Sequence, residues 1–300
     1  MALCAQSNFT GISLCAGVGG LELGLHVAEP RYRTVCFVER EAFTASVLVA
    51  RMADKTLDQA PIWDDVKSFD GSPWRGRVHI LSAGYPCQPF SFSGRRKGKN
   101  DPRHLWPDIK RIVDEIKPEW CFFENVDGHL NLGAAEVFKD LREMGYSPKA
   151  GLFSALETGA SHLRKRLFIL AHADDKPLLQ SNAHGAFHER AAVPERPDTG
   201  GQSSGTWEYR SHVDTNVYDG KSHGGGENGG FQVPLYPPAP HQFGTWGEIL
   251  ERRPDLQPEL FGLDNGVANW VDRSRSAGNG VCPLVAAYAF QTLHAEFVAL

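Results

Sequence analysis

The sequence predicts an α/β fold, a doubly wound and mostly parallel sheet covered by helices, with a small loop-rich second domain. Two observations carry this expectation. From Phe9 to Ala173, short apolar runs alternate with amphipathic stretches, the pattern of parallel strands joined by crossover helices. After Asp174 the hydrophobic periodicity fades, and residues 175–240 fill with Gly, Pro, Ser, His and Asn, most densely at Gly224–Gly230. The chain of 300 residues is therefore expected to divide into a large domain over 1–173, a small one over 174–264, and a C-terminal segment, 265–300, that returns to the first.

Each element has a local reason. Thr10–Cys15 is a short apolar strand ending at the turn Ala16-Gly17-Val18-Gly19-Gly20, which opens a helix over Gly20–His26. Thr34–Glu39 is a second apolar strand closing on an acid, and Ala42–Met52 repeats at helical spacing. Val78–Ala83 is a third strand, stopped by Gly84. Helix Trp106–Ile116, strand Trp120–Glu124, helix Ala134–Met144 and strand Arg166–His172 continue the alternation. A last helix is opened by Pro283, whose fixed φ suits a first turn, and runs through Phe290.

Hydrophobic content of 41% and charged content of 22% are those of a soluble globular protein. No apolar run reaches spanning length, and Met1–Phe9 is too short and polar for a signal peptide, so a cytoplasmic location is expected. The six cysteines form no C-x-x-C pair, which suggests neither a disulfide framework nor a zinc knuckle. His184, His188, His212, His223 and His241 lack ligand spacing, so no metal is expected. Net charge of −5 runs against a nucleic-acid binder. A local exception is the basic run Arg95, Arg96, Lys97 and Lys99, followed by Arg103, Lys110 and Arg111.

One cysteine stands apart. Cys87 sits between Pro86 and Pro89 in Gly84-Tyr85-Pro86-Cys87-Gln88-Pro89-Phe90-Ser91, just beyond a buried strand, so its backbone is constrained on both sides. Core filling needs no such rigidity, whereas a nucleophile does. The glycine turn lets a ligand approach the helix N-terminus, but nicotinamide dinucleotides use the same geometry. Its spacing is not G-x-G-x-x-G, since Leu21-Glu22-Leu23 follows the glycines, and this counts against a nicotinamide oxidoreductase. Glu39 and Glu124 each close an apolar run, where an acid meets the crevice of an open α/β sheet.

The order of these pieces resembles the DNA (cytosine-5) methyltransferase family. Ser13 to Leu25 (SLCAGVGGLELGL), Glu39, Asp64-Asp65-Val66, Pro86-Cys87-Gln88, Glu124-Asn125-Val126, Arg164-Lys165-Arg166 and Ala277-Gly278-Asn279-Gly280-Val281 occur in the family's sequence. The resemblance spans residues 9 to 172 and 265 to 295. It implies a Rossmann-like methyltransferase fold, S-adenosylmethionine as methyl donor and double-stranded DNA as partner, with 174–264 choosing the target. By the same resemblance Cys87 adds to C6 of a flipped cytosine, Glu124 protonates N3, and Arg164 and Arg166 hold the base and its phosphates. The cofactor would lie against Leu14, Cys15, Ala16, Gly17, Val18, Gly19, Gly20, Glu39, Asp65, Pro86, Asn279 and Val281. Gln88, Ser91, Arg95, Arg96, Lys97 and Lys99 would meet DNA.

Three departures stand out. Ser13 replaces a common acid, Cys15 a common aromatic, and His162 the usual glutamine two residues before Arg164. A monomer is expected, partnered by a cognate restriction endonuclease if it belongs to a restriction–modification pair; a phage or solitary enzyme is equally open. An RNA cytosine methyltransferase and a non-catalytic nucleic-acid-binding relative are the alternatives.

Overall fold

In the computed structural model, residues 8–86, 105–160, 162–176, 242–252 and 279–299 are described. Seven strands form one sheet in the order β3-β2-β1-β4-β5-β7-β6. In chain order the first half is β1 (Phe9–Leu14), α1 (Gly20–Ala28), β2 (Tyr32–Val38), α2 (Ala42–Ala53), β3 (Ile62–Trp63) and β4 (Ile80–Gly84). The second half comprises α3 (Trp106–Ile116), β5 (Trp120–Val126), α4 (His129–Leu132), α5 (Ala134–Glu143), β6 (Tyr146–Ser154) and β7 (Lys165–Ala173). Helices α6 (Phe243–Arg252) and α7 (Pro283–Val298) complete the described chain.

Strands β1 to β5 pair in parallel, whereas β7 runs antiparallel to both β5 and β6. The sheet is therefore mostly parallel and doubly wound, as the sequence predicts. From β1 the chain winds outward through β2 and β3, then returns to lay β4 on the other side of β1. Such a reversal opens a crevice beyond the carboxyl ends of the strands flanking it. Here those ends are Leu14 and Gly84, so the glycine turn and Tyr85-Pro86 leave the sheet side by side.

Both faces of the sheet are buried, which is why β5 reads as an unbroken apolar run. Cys121 and Phe123 join Trp106, Ile109, Ile112, Val137 and Leu141 beneath α3 and α5. Trp120 and Phe122 face the other way, onto Leu21, Leu25, Ala286 and Phe290 of α1 and α7. Phe37 packs separately on Leu48 and Met52 of α2. Buried positions of α3 recur at Trp106, Ile109, Ile112, Val113 and Ile116, one helical stripe, and left-handed Lys117 before Pro118 ends it.

The expected strands and helices are all present with small shifts of boundary, and four further elements were not anticipated. β3 has two residues and α4 one turn, too short for a periodic signal. β6 carries Pro148 and Gly151, which normally exclude a strand, but it lies at the sheet edge where a missing N–H is tolerated. α6 lies within the span read as loop-dominated. Lys110 and Arg111, which follow the basic run in sequence, lie on the expected helix and are paired. They sit on α3, where Lys110 pairs with Asp140 at 2.6 Å and Arg111 with Glu115 at 2.7 Å.

The N-terminus of α1 lies against the segment leading into α7. A Cβ added at Gly20 would fall 2.3 Å from the carbonyl oxygen of Val281, so backbone meets backbone with no room for a methyl. Gly20→Ala should therefore destabilise the protein by about 1–3 kcal/mol, the usual cost of overpacking a tight contact. Urea denaturation checks this, and an unshifted midpoint would show that the two segments separate freely.

Candidate active site

Glu124 owes its surroundings to strand register. In the antiparallel pair of β5 and β7, Val126 stands opposite Arg166, so Glu124, two residues back on the same face, is a diagonal neighbour of Arg166. The two side chains meet, Arg166 Nε lying 3.0 Å from Glu124 Oε1. On the other side, Gly84 of β4 is in register with Glu124 and adds no side chain to screen it. Glu124 is 7% exposed, and burial pushes its carboxyl up to about 7 even though Arg166 and Arg164 both pull it down. Desolvation thus outweighs two guanidiniums, leaving an acid poised between its protonated and ionised forms near neutral pH.

Arg164 precedes β7 and reaches another segment. Its Nη2 donates to the carbonyl oxygen of Gly280 at 2.7 Å, joining the start of β7 to the residues that abut Gly20. Burial lowers its pKa, with Arg166 adding to the effect. Arg164 and Arg166 line a cleft of about 420 Å³ together with Asp127, His162, Leu163 and Lys165. The cleft carries three cationic side chains against one carboxylate and an exposed leucine, a surface suited to an anionic, partly apolar ligand.

The glycine turn stands on the other flank of the crevice. Cys15, Gly17 and Gly19 take positive φ angles of 50°, 58° and 80°, folding the chain back before α1. Nothing lies within 4 Å of where a Gly17 Cβ would be, so the turn faces open space. Glu39, the residue after β2, accepts from Gly17 N through Oε2 and from Glu41 N through Oε1, both at 2.8 Å. A carboxylate offers about four acceptor positions, so roughly two remain for outside hydroxyls. Burial raises the Glu39 pKa against these backbone donors. Asp65 is half-buried, caps its own turn by accepting from Lys67 N at 3.0 Å, and lies near enough to act on Cys15, as does Glu39. Asp64 is exposed.

Burial and these acids push the Cys15 thiol up to about 12, and burial alone pushes Cys36 up to about 11. Both are held as neutral thiols. Leu14 is fully buried and Ala16 nearly so, contributing backbone to the turn, and Ala16 N donates to Val38 O at 3.1 Å. Val281 is half-buried and Asn279 exposed, close in sequence to the Arg164 clasp. Pro86 is exposed. Cys87, Gln88, Ser91, Arg95, Arg96, Lys97 and Lys99 lie outside the described residues, as do Arg103 and the five histidines from His184 to His241.

Several supporting residues carried no sequence signal, because their partners lie far along the chain. Arg51 Nη1 holds the Val18 carbonyl of the turn at 2.7 Å. Glu22, wholly buried in α1, accepts from Ser82 Oγ of β4 at 2.9 Å, and burial raises its pKa. Asn125 Nδ2 donates to the carbonyl of Tyr85 at 3.2 Å, fixing the exit from β4. A buried acid in the first turn of α1, out of place on an apolar face, was the one legible hint.

The type II methyltransferase M.NgoMIV of Neisseria gonorrhoeae is 32% identical over 168 residues, 55% of this chain and 52% of that protein. The type II methyltransferase M.HhaI of Haemophilus parahaemolyticus is 43% identical over 101 residues, 32% of this chain and 31% of that protein. The chain spans about half the length, or less, of the curated relatives it matches. Among solved structures, the Dnmt2 methyltransferase of S. pombe matches 57% of this chain and 53% of its own, at 23% identity and a TM-score of 0.47. The model of the C-5 cytosine-specific DNA methylase family matches residues 9–227, and with most of the chain inside that match, the protein belongs to this family.

Proposed function

We propose that the chain is a DNA cytosine C5 methyltransferase that uses S-adenosylmethionine and acts on double-stranded DNA through a covalent adduct of Cys87. The observation that carries this reading is Glu124: a buried acid with a pKa near 7, paired to Arg166 at 3.0 Å, in register with the strand end that leads to Pro86 and Cys87. C5 of cytosine is a poor nucleophile until electron density is pushed onto it. The Cys87 thiolate bonds to C6, the charge arriving at N3 is met by the Glu124 proton, and C5 becomes able to accept a methyl group. Loss of the C5 proton afterwards breaks the sulfur–C6 bond and frees the thiol. Arg166 holds Glu124 in place and, with Arg164, lines the cleft that would take the extruded base and its phosphates. Extrusion itself costs about a few kcal/mol.

The open turn at Gly17 and the spare acceptor capacity of Glu39 fit a nucleoside with two ribose hydroxyls. When bound, S-adenosylmethionine supplies an electrophilic methyl group. Glu39 would take the ribose and Asp65 the adenine side, while the backbone of Leu14 to Gly20, Pro86, Asn279 and Val281 would border the rest. In the same reading, Gln88, Ser91 and the basic run Arg95 to Lys99 grip DNA, and residues 174–264 select the target by reading major-groove base edges. The enzyme works as a monomer in the cytoplasm, with a cognate restriction endonuclease as its counterpart where it belongs to a restriction–modification pair.

Incubation with labelled methyl donor and either duplex DNA or tRNA tests the proposal. Incorporation into duplex DNA, mapped to cytosine C5 by bisulfite sequencing, is expected. Incorporation into tRNA alone would replace DNA by RNA as substrate, and none into either would sink the catalytic reading. Glu39→Ala should weaken S-adenosylmethionine binding about 10- to 100-fold, the worth of hydrogen bonds to a charged group, and leave DNA affinity unchanged. Calorimetry showing wild-type cofactor affinity would refute the ribose assignment.

A further inference from the structure

Tyr85 is the first residue beyond β4, and two contacts fix it. Its carbonyl accepts from Asn125 Nδ2 at 3.2 Å, and its hydroxyl lies 3.1 Å from His129 Nε2. The ring is wedged among Trp106, Phe123 and His129, with centroids 5.9, 6.3 and 5.7 Å away. Tyr85, Asn125 and His129 are all buried. His129 is backed by Gly133, where an added Cβ would fall 2.6 Å from the imidazole Cε1. Glycine at 133 thus leaves the room that the imidazole occupies.

The placement matters because Pro86 and Cys87 come next in the chain. Pro86 fixes its own φ and restricts the backbone of Tyr85 before it. Between β4 and residue 87, few soft torsions remain, and most belong to Tyr85. A phenylalanine would fill nearly the same space, so the hydroxyl is not needed for packing. A buried polar pair specifies one orientation, since each member is costly without the other.

We propose that the Tyr85–His129 hydrogen bond is a positioning device that sets the direction in which the chain leaves β4 at Tyr85 and Pro86, and through it the reactivity of Cys87, the next residue in sequence. It rests on the reading of Cys87 as the nucleophile. Both residues act through the backbone of Tyr85 and Pro86.

The test uses Tyr85→Phe, His129→Phe, the double variant and His129→Gln, whose amide can still meet the tyrosine hydroxyl. Two rates are measured in the full chain: covalent adduct formation with a 5-fluorocytosine duplex in a single turnover, and alkylation of the residue 87 thiol without DNA. Each is mapped by peptide analysis, with buried Cys36 and Cys121 as internal controls. Tyr85→Phe and His129→Phe should each slow adduct formation by about 10- to 100-fold, the effect of a misplacement near 1 Å, with cofactor affinity unchanged. Alkylation at residue 87 should slow in both. His129→Gln should keep most of the wild-type rate, and His129→Phe should add little in the Tyr85→Phe background.

Wild-type rates per folded molecule in both single variants, or a full further loss in the double variant, would overturn the proposal. If the wild type itself formed no adduct, the methyltransferase reading would fall, and the alkylation comparison would still decide the positioning role.

Discussion

Cys87→Ala is expected to abolish methyl transfer while folding and cofactor binding persist. The reaction depends on pushing electron density onto C5, and only a bond from a soft nucleophile to C6 does so. Three of the four described thiols are held neutral by burial, and the fourth, Cys282, caps α7. Cys15 lies on the cofactor turn with its pKa pushed up to about 12, Cys36 is buried with its own at about 11, and Cys121 is buried beneath α3 and raised further. A neutral thiol is a weak nucleophile, so the loss should be complete within detection. Methyl incorporation by the purified variant, beside a circular dichroism spectrum and a calorimetric titration with cofactor, checks both halves. Measurable turnover would show that the covalent step does not pass through Cys87.

Glu124→Gln should lower turnover by roughly 10²–10⁴-fold, the usual worth of a positioned general acid. The amide keeps the volume of the carboxyl but has no acidic proton for N3. The wild type should also show a pH signature. Burial raises the Glu124 pKa to about 7, so the proton is held below that pH and lost above it. Turnover limited by this acid should be level on the acid side of pH 7 and fall on the alkaline side. In the glutamine variant that fall should vanish from a lower baseline. The substitution also leaves Arg166 without its carboxylate, so rates must be referred to the folded fraction. Wild-type turnover in the variant, or an unaltered pH profile, would make Glu124 a structural partner of Arg166.

Much of this site was legible because its residues sit at strand ends. The rhythm of apolar runs located β1, β2, β4, β5 and β7, and the residues closing them, from Cys15 and Glu39 to Gly84 and Glu124, fall at the crevice by geometry. What stayed hidden depends on pairing across long separations. That β7 runs antiparallel to β5 brings Arg166 to Glu124, yet no local pattern states a strand's direction. The clasp of Arg164 on Gly280 joins positions 116 residues apart. Tyr85 and His129 are 44 residues apart, and each alone reads as an ordinary buried aromatic. β6 was missed because Pro148 and Gly151 are judged against a central strand, whereas at an edge they cost little. The partners of Lys110 and Arg111 were hidden likewise: the helix was expected, but Asp140 lies 30 residues from Lys110, and only Glu115, four residues on, is a local neighbour of Arg111.

Whether Cys87 bonds covalently to the target base is measured directly by trapping. In a duplex carrying 5-fluorocytosine, fluorine replaces the proton whose loss would release the enzyme, so the adduct cannot resolve. With S-adenosylmethionine present, the chain should become linked to the duplex, and peptide mapping should place the link on Cys87. A link to any other residue, or turnover of unmodified duplex with no link to the fluorinated one, would contradict the covalent mechanism.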